Sequence, residues 1–355
     1  MGGWLKTVVL VGLILALVAG LAAAWAWQRY ETFLDEPLRL GEDGMTLRVQ
    51  PGEPVTAVIR HLERQGATTL DWRWRLLLRR EPVTIQVGEY ALVAGTDPRG
   101  LLGKLAAGDV IQYRFTLVEG WNYRQLVGAL MADERLAVAP EQLTPEAVLD
   151  HLDLAAPHPE GWFLPETYAF TAFDDALTVL ERAHAAMRLA LEQAWSERVD
   201  GLPLSDPYEL LILASIVEKE SALAAERPDI AGVFVRRLQQ NWRLETDPTV
   251  IYGMGERYDG NIRRRDLRED TPWNTYVHRG LPPTPIAMPG PGALQAAARP
   301  AEGAAMFFVA DGQGGHVFSE TLEAHNRAVR DLVRRQRGEG GGQGGGSEKP
   351  EDGAP

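Results

Sequence analysis

Asp206-Pro207-Tyr208-Glu209-Leu210-Leu211-Ile212-Leu213-Ala214-Ser215-Ile216-Val217-Glu218-Lys219-Glu220 is the stretch that decides how this chain is read. Asp206 is a good N-cap, Pro207 suits the first helical position, and Glu209 stands three residues after the cap, as in a capping box. The residues that follow are apolar on every side, which predicts a buried helix. At ~100° per residue, Glu218 falls on the stripe of Leu211, Ala214 and Ser215, while Glu220 points about 160° away. A carboxyl on a buried face loses solvation, which disfavours its charged form and raises its pKa. Such a group holds a proton near neutral pH and can deliver it to a leaving oxygen. The plainer alternative is that Glu218 ends the helix in a salt bridge to Lys219 or Arg227.

Around this helix lies a chain of 355 residues, enough for about two domains. Its 45% hydrophobic and 24% charged content is that of a globular protein and excludes a wholly disordered one. Lys plus Arg number 36 against 49 Asp plus Glu, a net charge of −13, which argues against binding nucleic acid through phosphate contacts. Zero cysteines exclude disulfides, thiolate metal sites and a cysteine nucleophile, and fit an extracytoplasmic location. The seven histidines are scattered without the spacing of a metal-binding helix, so no metal is expected, and His316 and His325 read as structural.

Thr7 to Trp27 carries no charge and, as a helix, spans about 30 Å, the thickness of a bilayer's hydrocarbon core. Trp4 precedes it, and Trp25, Trp27 and Tyr30 gather at its far end like an aromatic belt. A cleaved signal peptide is the alternative, since Ala22-Ala23-Ala24 and Ala24-Trp25-Ala26 offer small-x-small sites; the length of the apolar run favours an uncut anchor. The expected order is a cytoplasmic stub at 1–6, a transmembrane helix at 7–27 and a linker at 28–45, with the bulk of the chain outside the cytoplasmic membrane.

The next segment, 46–117, reads as a small α+β unit. Leu47-Arg48-Val49 is a strand, Pro54 to Gln65 a helix closed by Gly66, and Leu70 to Arg80 a second helix. Gly88 to Val93 is a further strand; Asp97-Pro98 opens a helix that ends at Gly108, and Ile111 to Leu117 alternates with period two. Residues 118–337 are richer in helix signals and form the larger α+β domain. Glu-Gly-Trp occurs at Glu119–Trp121 and again at Glu160–Trp162, with nothing else repeating beside it, and is read as chance. Residues 338–355 are Gly-rich and expected to be disordered.

Several stretches together resemble one family. Ala214-Ser215-Ile216-Val217-Glu218-Lys219-Glu220 is similar to the catalytic helix of the endolytic murein transglycosylases, the MltG/YceG-like family. Glu160-Gly161-Trp162-Phe163-Leu164-Pro165-Glu166-Thr167-Tyr168 resembles a second motif of that family, and Thr246-Asp247-Pro248-Thr249-Val250-Ile251-Tyr252-Gly253 a third. Asn274-Thr275-Tyr276 with Gly280-Leu281-Pro282-Pro283-Thr284-Pro285-Ile286 resembles its most specific signature; Phe308-Val309-Ala310 and His325-Asn326 complete the order. Two positions depart: Trp273 stands where the family commonly has Tyr, and Met288 where Asn or Thr is common before Pro-Gly.

The resemblance implies a LysM-like subdomain at 46–117 and a catalytic domain at 118–337. It implies a lyase that cuts peptidoglycan glycan strands internally, between N-acetylmuramic acid and N-acetylglucosamine, leaving a 1,6-anhydro ring. The sugar's own 6-hydroxyl is then the nucleophile, so Glu218 suffices alone as acid and base with no cofactor, where ordinary glycosidases need two carboxylates. The implied partners are the glycan strand, the inner membrane and penicillin-binding proteins beside nascent strands, where cutting would set strand length. Glu166, Tyr168, Asp247, Trp273, Asn274 and Tyr276 are the substrate-contact candidates, with Trp162 a further stacking candidate. Each has a plainer role open: a cap for Asp247 and Glu166, packing anchors for the aromatic residues, and its own loop for Asn274. Arg263-Arg264-Arg265 reads as a solvated loop. A hydrolase of the same bond, using Glu166 or Asp247 as a second carboxylate, and a non-enzymatic wall-binding anchor are the rival readings.

Overall fold

A computed structural model describes residues 2–221 and 223–340 as a mixed α/β chain in two units. The first comprises residues 1–113 and 169–174; the second, residues 114–168 and 175–355.

In the first unit, helix α1 (Gly2–Asp35) is long and apolar enough to cross a membrane over Gly3–Asp35. It does not stop where the uncharged run stops. Tyr30, Phe33 and Leu34, at the i, i+3, i+4 spacing of one helix face, are buried in the core of this unit, and Leu38 follows them. Leu38 N–H donates to Thr96 O (2.8 Å) and Arg39 N–H to Ala67 O (2.8 Å), so the segment expected as a linker is packed structure instead. The Arg80 guanidinium lies 5.0 Å from the Trp27 ring and that of Arg73 lies 4.9 Å from Phe33.

Strand β1 (Met45–Val49), helices α2 (Val55–Arg64) and α3 (Trp72–Arg80), strand β2 (Gly88–Leu92) and helix α4 (Pro98–Ala107) complete the core of this unit. β1 and β2 pair antiparallel, Met45 opposite Leu92 and Val49 opposite Gly88, with Leu47, Val49, Tyr90 and Leu92 facing inward. The caps are those the sequence specifies. The Asp97 side chain accepts the Gly100 N–H at 2.6 Å, and Gly108 closes α4 at φ +69°. The period-two run is only partly a strand: β3 is Tyr113–Thr116 and joins β4 (Thr167–Phe170), not β1 and β2. Its partner lies about fifty residues downstream, which no local alternation reveals.

The second unit contains α5 (Tyr123–Ala132), α6 (Pro145–His151), α7 (Ala176–Ser196), α8 (Pro207–Glu220), α9 (Arg227–Gln239), α10 (Asp247–Met254) and α11 (Pro291–Ala298). A hairpin of β5 (Phe307–Ala310) and β6 (His316–Ser319) precedes α12 (Leu322–Gly340), which packs on it. Helix α12 runs through Gly340; the remainder of the expected Gly-rich tail lies outside the described residues. α8 is central, with α7, α9, α10 and α11 against it and Leu210 through Val217 buried without a break. At about 1.5–3 kcal/mol for each large side chain, this burial makes α8 the fixed frame of the unit. Its start follows the sequence: the Asp206 carboxylate accepts the Glu209 N–H (2.9 Å), while Glu209 reaches back to Ser205 N–H (2.6 Å), one residue earlier than an ordinary capping box.

Candidate active site

Glu218 sits in the last turn of α8 with its side chain 5% exposed. One carboxylate oxygen accepts from Arg227 Nη2 at 2.7 Å; the other accepts from the Gly290 N–H at 3.0 Å. Arg227 opens α9 and Gly290 caps α11, so three helix ends converge on one carboxyl. Burial pushes the Glu218 carboxyl above its ordinary value. The Gly290 N–H and Arg227 pull it down, and the nearby Glu119 carboxylate pushes it up. Of the two alternatives open in the sequence, the Arg227 ion pair is present, and it coexists with the raised pKa. Lys219 instead donates to Gly120 O at 3.1 Å.

The loop before α5 is fastened beside this carboxyl through the backbone. Gly120 N–H donates to Met288 O (2.9 Å) and Met288 N–H donates to Trp121 O (2.7 Å). Neither bond uses the Met288 side chain, which is buried, so the departure from the family's Asn or Thr leaves the joint intact. Ser215, the one polar residue in the buried run Leu210–Val217 of α8, donates to Ile212 O (2.7 Å) and accepts Ile286 N–H (3.0 Å), fixing the same downstream loop.

Next to Glu218 opens a cleft of about 970 Å³. Gly120 and Lys219 line it, as do Tyr123, His158, Glu160, Tyr252, Tyr258 and Trp273; Glu218 lies just behind Gly120. Trp273 and Tyr252 meet edge to face at 5.4 Å, and Trp273 Nε1–H donates to Thr284 Oγ1 at 2.9 Å. Glu160 is 1% exposed and accepts from the Tyr123 N–H (2.9 Å) and the Tyr252 hydroxyl (3.0 Å). Burial drives its carboxyl up to about 7 against those hydrogen bonds. The sequence did not mark Glu160 as a site residue. Its signals in the sequence are its place at the head of the second family motif and the Glu-Gly-Trp pair, in which Glu119 proves to face Arg227 and Glu160 to line the cleft.

The substrate-contact candidates divide. Trp273 alone among them lines the cleft. Tyr168 is buried and donates its hydroxyl to Leu164 O at 2.6 Å, which makes it a packing residue. Asn274 is 1% exposed and spends its amide on its own loop, donating to Asp266 O (3.1 Å) and Glu269 O (2.8 Å) and accepting the Tyr276 N–H (2.9 Å). Tyr276 donates to Asp247 at 2.7 Å. Asp247 is the first residue of α10, whose N-cap is Thr246, so it is not itself the cap. Glu166 is exposed, its carbonyl accepting Leu117 N–H at 3.0 Å. Trp162 stacks on Tyr208 at 5.8 Å within the core. Glu220, facing away from Glu218, accepts the Thr246 hydroxyl, and burial drives its carboxyl up to about 7.

Comparison with known proteins points to one family. A Bacillus subtilis protein named endolytic murein transglycosylase is 28% identical over 308 residues, spanning 81% of this chain and 85% of its own length. A Streptococcus pneumoniae protein of the same name is 26% identical over 351 residues, which cover 88% of this chain and 63% of that longer protein. The crystal structure of a YceG-like protein from Listeria monocytogenes superposes with a TM-score of 0.53 at 25% identity, covering 81% of this chain and 99% of that one. The sequence profile of the YceG-like family matches residues 47–331, the span that carries both the cleft and the Glu218 cluster, and the chain belongs to that family.

Proposed function

We propose that this chain is an endolytic murein transglycosylase whose acid and base are one group, Glu218. The observation that carries the reading is a single carboxyl, almost removed from solvent, held between an arginine and a backbone N–H beside a large aromatic-lined cleft. In the reaction, protonated Glu218 gives its proton to the glycosidic oxygen as the C1–O bond of the muramyl residue breaks. The muramyl 6-hydroxyl attacks C1, its proton passes to the Glu218 carboxylate, and the product ends in a 1,6-anhydro ring. Atoms balance without water, and Glu218 returns protonated for the next bond. Arg227 and the Gly290 N–H stabilise the carboxylate between the two transfers. Trp273 offers a face for a sugar ring, and a cleft of about 970 Å³ has room for sugar residues of a glycan.

The wider reading follows the same family. The unit around β1 and β2 is a LysM-like glycan-binding subdomain. α1 anchors the chain in the cytoplasmic membrane with the bulk outside, and cutting beside penicillin-binding proteins limits the length of nascent strands. The apolar length of α1 supports the anchor and the names of the relatives support a murein strand as substrate; the other parts rest on the family resemblance alone.

A hydrolase needs a second carboxylate free to activate water. Two carboxyls line the cleft: the Glu160 oxygens already take the Tyr123 N–H and Tyr252 hydroxyl, and Glu256 pairs with Arg124 at 3.0 Å, which argues against that role for either. The test is Glu218→Gln in the full chain with purified glycan strands. Loss of cleavage in a folded variant is expected; cleavage at the parent rate would refute the assignment.

A further inference from the structure

Arg227 Nη2 lies 2.7 Å from Glu218 and 3.4 Å from Glu119, so one nitrogen serves two carboxylates. The arginine is 8% exposed and its Nε is buried without a hydrogen-bond partner, which leaves the carboxylates as its charge compensation. Glu119 is different: its side chain is 46% exposed, and water reaches it. Two glycines make room for the trio. A Cβ on Gly290 would overlap the Glu119 carboxylate, and one on Gly292 would lie 2.9 Å from Arg227 Nη1. Glu119 is also fixed in place, because the two backbone bonds from Gly120 and Trp121 to Met288 tie its loop beside Gly290.

We propose that Glu119 is a positioning residue for the reaction: it takes over Arg227 whenever Glu218 holds a proton, and so lets one carboxyl serve as acid and then as base. The proposal rests on Glu218 being the acid of the previous section. Both groups that now touch Glu218, Arg227 and the Gly290 N–H, are donors. When Glu218 is protonated, neither can accept the proton, which must point elsewhere, and Arg227 loses its charge partner. A buried guanidinium without a counter-charge is costly. Glu119, already within reach of the same nitrogen, removes that cost by moving a few tenths of an ångström. On the return step the 6-hydroxyl's proton reaches Glu218 while Arg227 swings its charge to Glu119, and no extra proton enters or leaves.

The charged groups facing Glu218 are Arg227 from α9, Glu119 from the loop before α5, and Lys219 on its own helix. α11 brings the Gly290 N–H and no charged side chain. Asp247 of α10 lies by Glu220 and Tyr276, and the charged residues Glu181, Arg182, Arg188 and Glu192 of α7 are exposed.

The experiment is the pH profile of glycan cleavage by the full chain, comparing the parent with Glu119→Gln, Glu119→Asp and Gly290→Ala. Without the Glu119 charge, Arg227 belongs to Glu218 alone and favours its ionised form. The alkaline limb of kcat should then move to lower pH by about one unit, a tenfold loss on that limb with the acid plateau kept. Glu119→Asp should restore the limb, and Gly290→Ala, which displaces the carboxylate without changing any charge, should reproduce the shift. An unchanged limb in both Glu119→Gln and Gly290→Ala, with activity scaled down evenly at all pH, overturns the proposal. If Glu218→Gln still cuts, the acid assignment itself has failed. If Glu218→Gln is dead and the limb does not move, only the role of Glu119 has.

Discussion

Glu160→Gln gives a stability signature that follows directly from burial. The Glu160 carboxyl is 1% exposed and stands at about 7, against 4.5 for a free glutamate. A group whose pKa is raised on folding binds its proton more tightly in the folded chain. Its contribution is therefore complete below about pH 4.5 and is lost as pH rises through about 7. A gap of about 2.5 pH units at ~1.36 kcal/mol each corresponds to about 3 kcal/mol, most of it falling between pH 5 and pH 8. Gln is neutral at every pH, keeps an oxygen for the Tyr123 N–H, and can face the Tyr252 hydroxyl with its amide. Urea unfolding of the full chain in detergent micelles, followed by tryptophan fluorescence at pH 5 and pH 8, measures the difference between parent and variant at each pH. The other carboxyls raised by burial, Glu218 and Glu220, are common to both proteins and cancel. The variant should gain about 2–3 kcal/mol relative to the parent on going from pH 5 to pH 8. An identical difference at the two pH values would refute the argument and imply that Glu160 stays ionised throughout.

Two further changes test the frame around the cleft. Gly161 holds φ +84°, and a Cβ there would lie 2.6 Å from Pro285 Cβ; strain and overpacking together should cost Gly161→Ala about 2–4 kcal/mol, read as a lower urea midpoint, and an unchanged midpoint would contradict the close approach. Asn274→Ala removes three hydrogen bonds inside one loop and should destabilise by about 2–4 kcal/mol; if it instead raised KM with stability intact, Asn274 would be a sugar contact after all.

What the sequence discloses and what it withholds follow from range. α8 is legible because its cap, its proline and its apolar run are all within fifteen residues of Glu218, and the raised pKa of Glu218 follows from that local pattern. The rest of the cluster is distant: Gly290 is 72 residues away from Glu218 and Glu119 is 108 from Arg227. No periodicity connects them. The Glu-Gly-Trp pair looked accidental because each copy does its work through a different neighbour, Arg227 for Glu119 and Tyr252 for Glu160. Asn274 and Tyr168 drew attention as polar and aromatic residues in loops, yet both turn inward to satisfy backbone groups. The continuation of α1 past Trp27 was obscured by Arg29, Glu31 and Asp35. The spacing of Tyr30, Phe33 and Leu34 marks a packed face, and that signal was available.

Whether water enters the broken bond separates a transglycosylase from a hydrolase. The full chain in detergent, incubated with purified glycan strands in water enriched in heavy oxygen, and read by mass spectrometry, measures this directly. Cleavage by Glu218 with the sugar's own hydroxyl predicts internal cuts ending in anhydro-muramyl residues, lighter by one water and free of heavy oxygen, and none from Glu218→Gln. Reducing ends that carry heavy oxygen would contradict it.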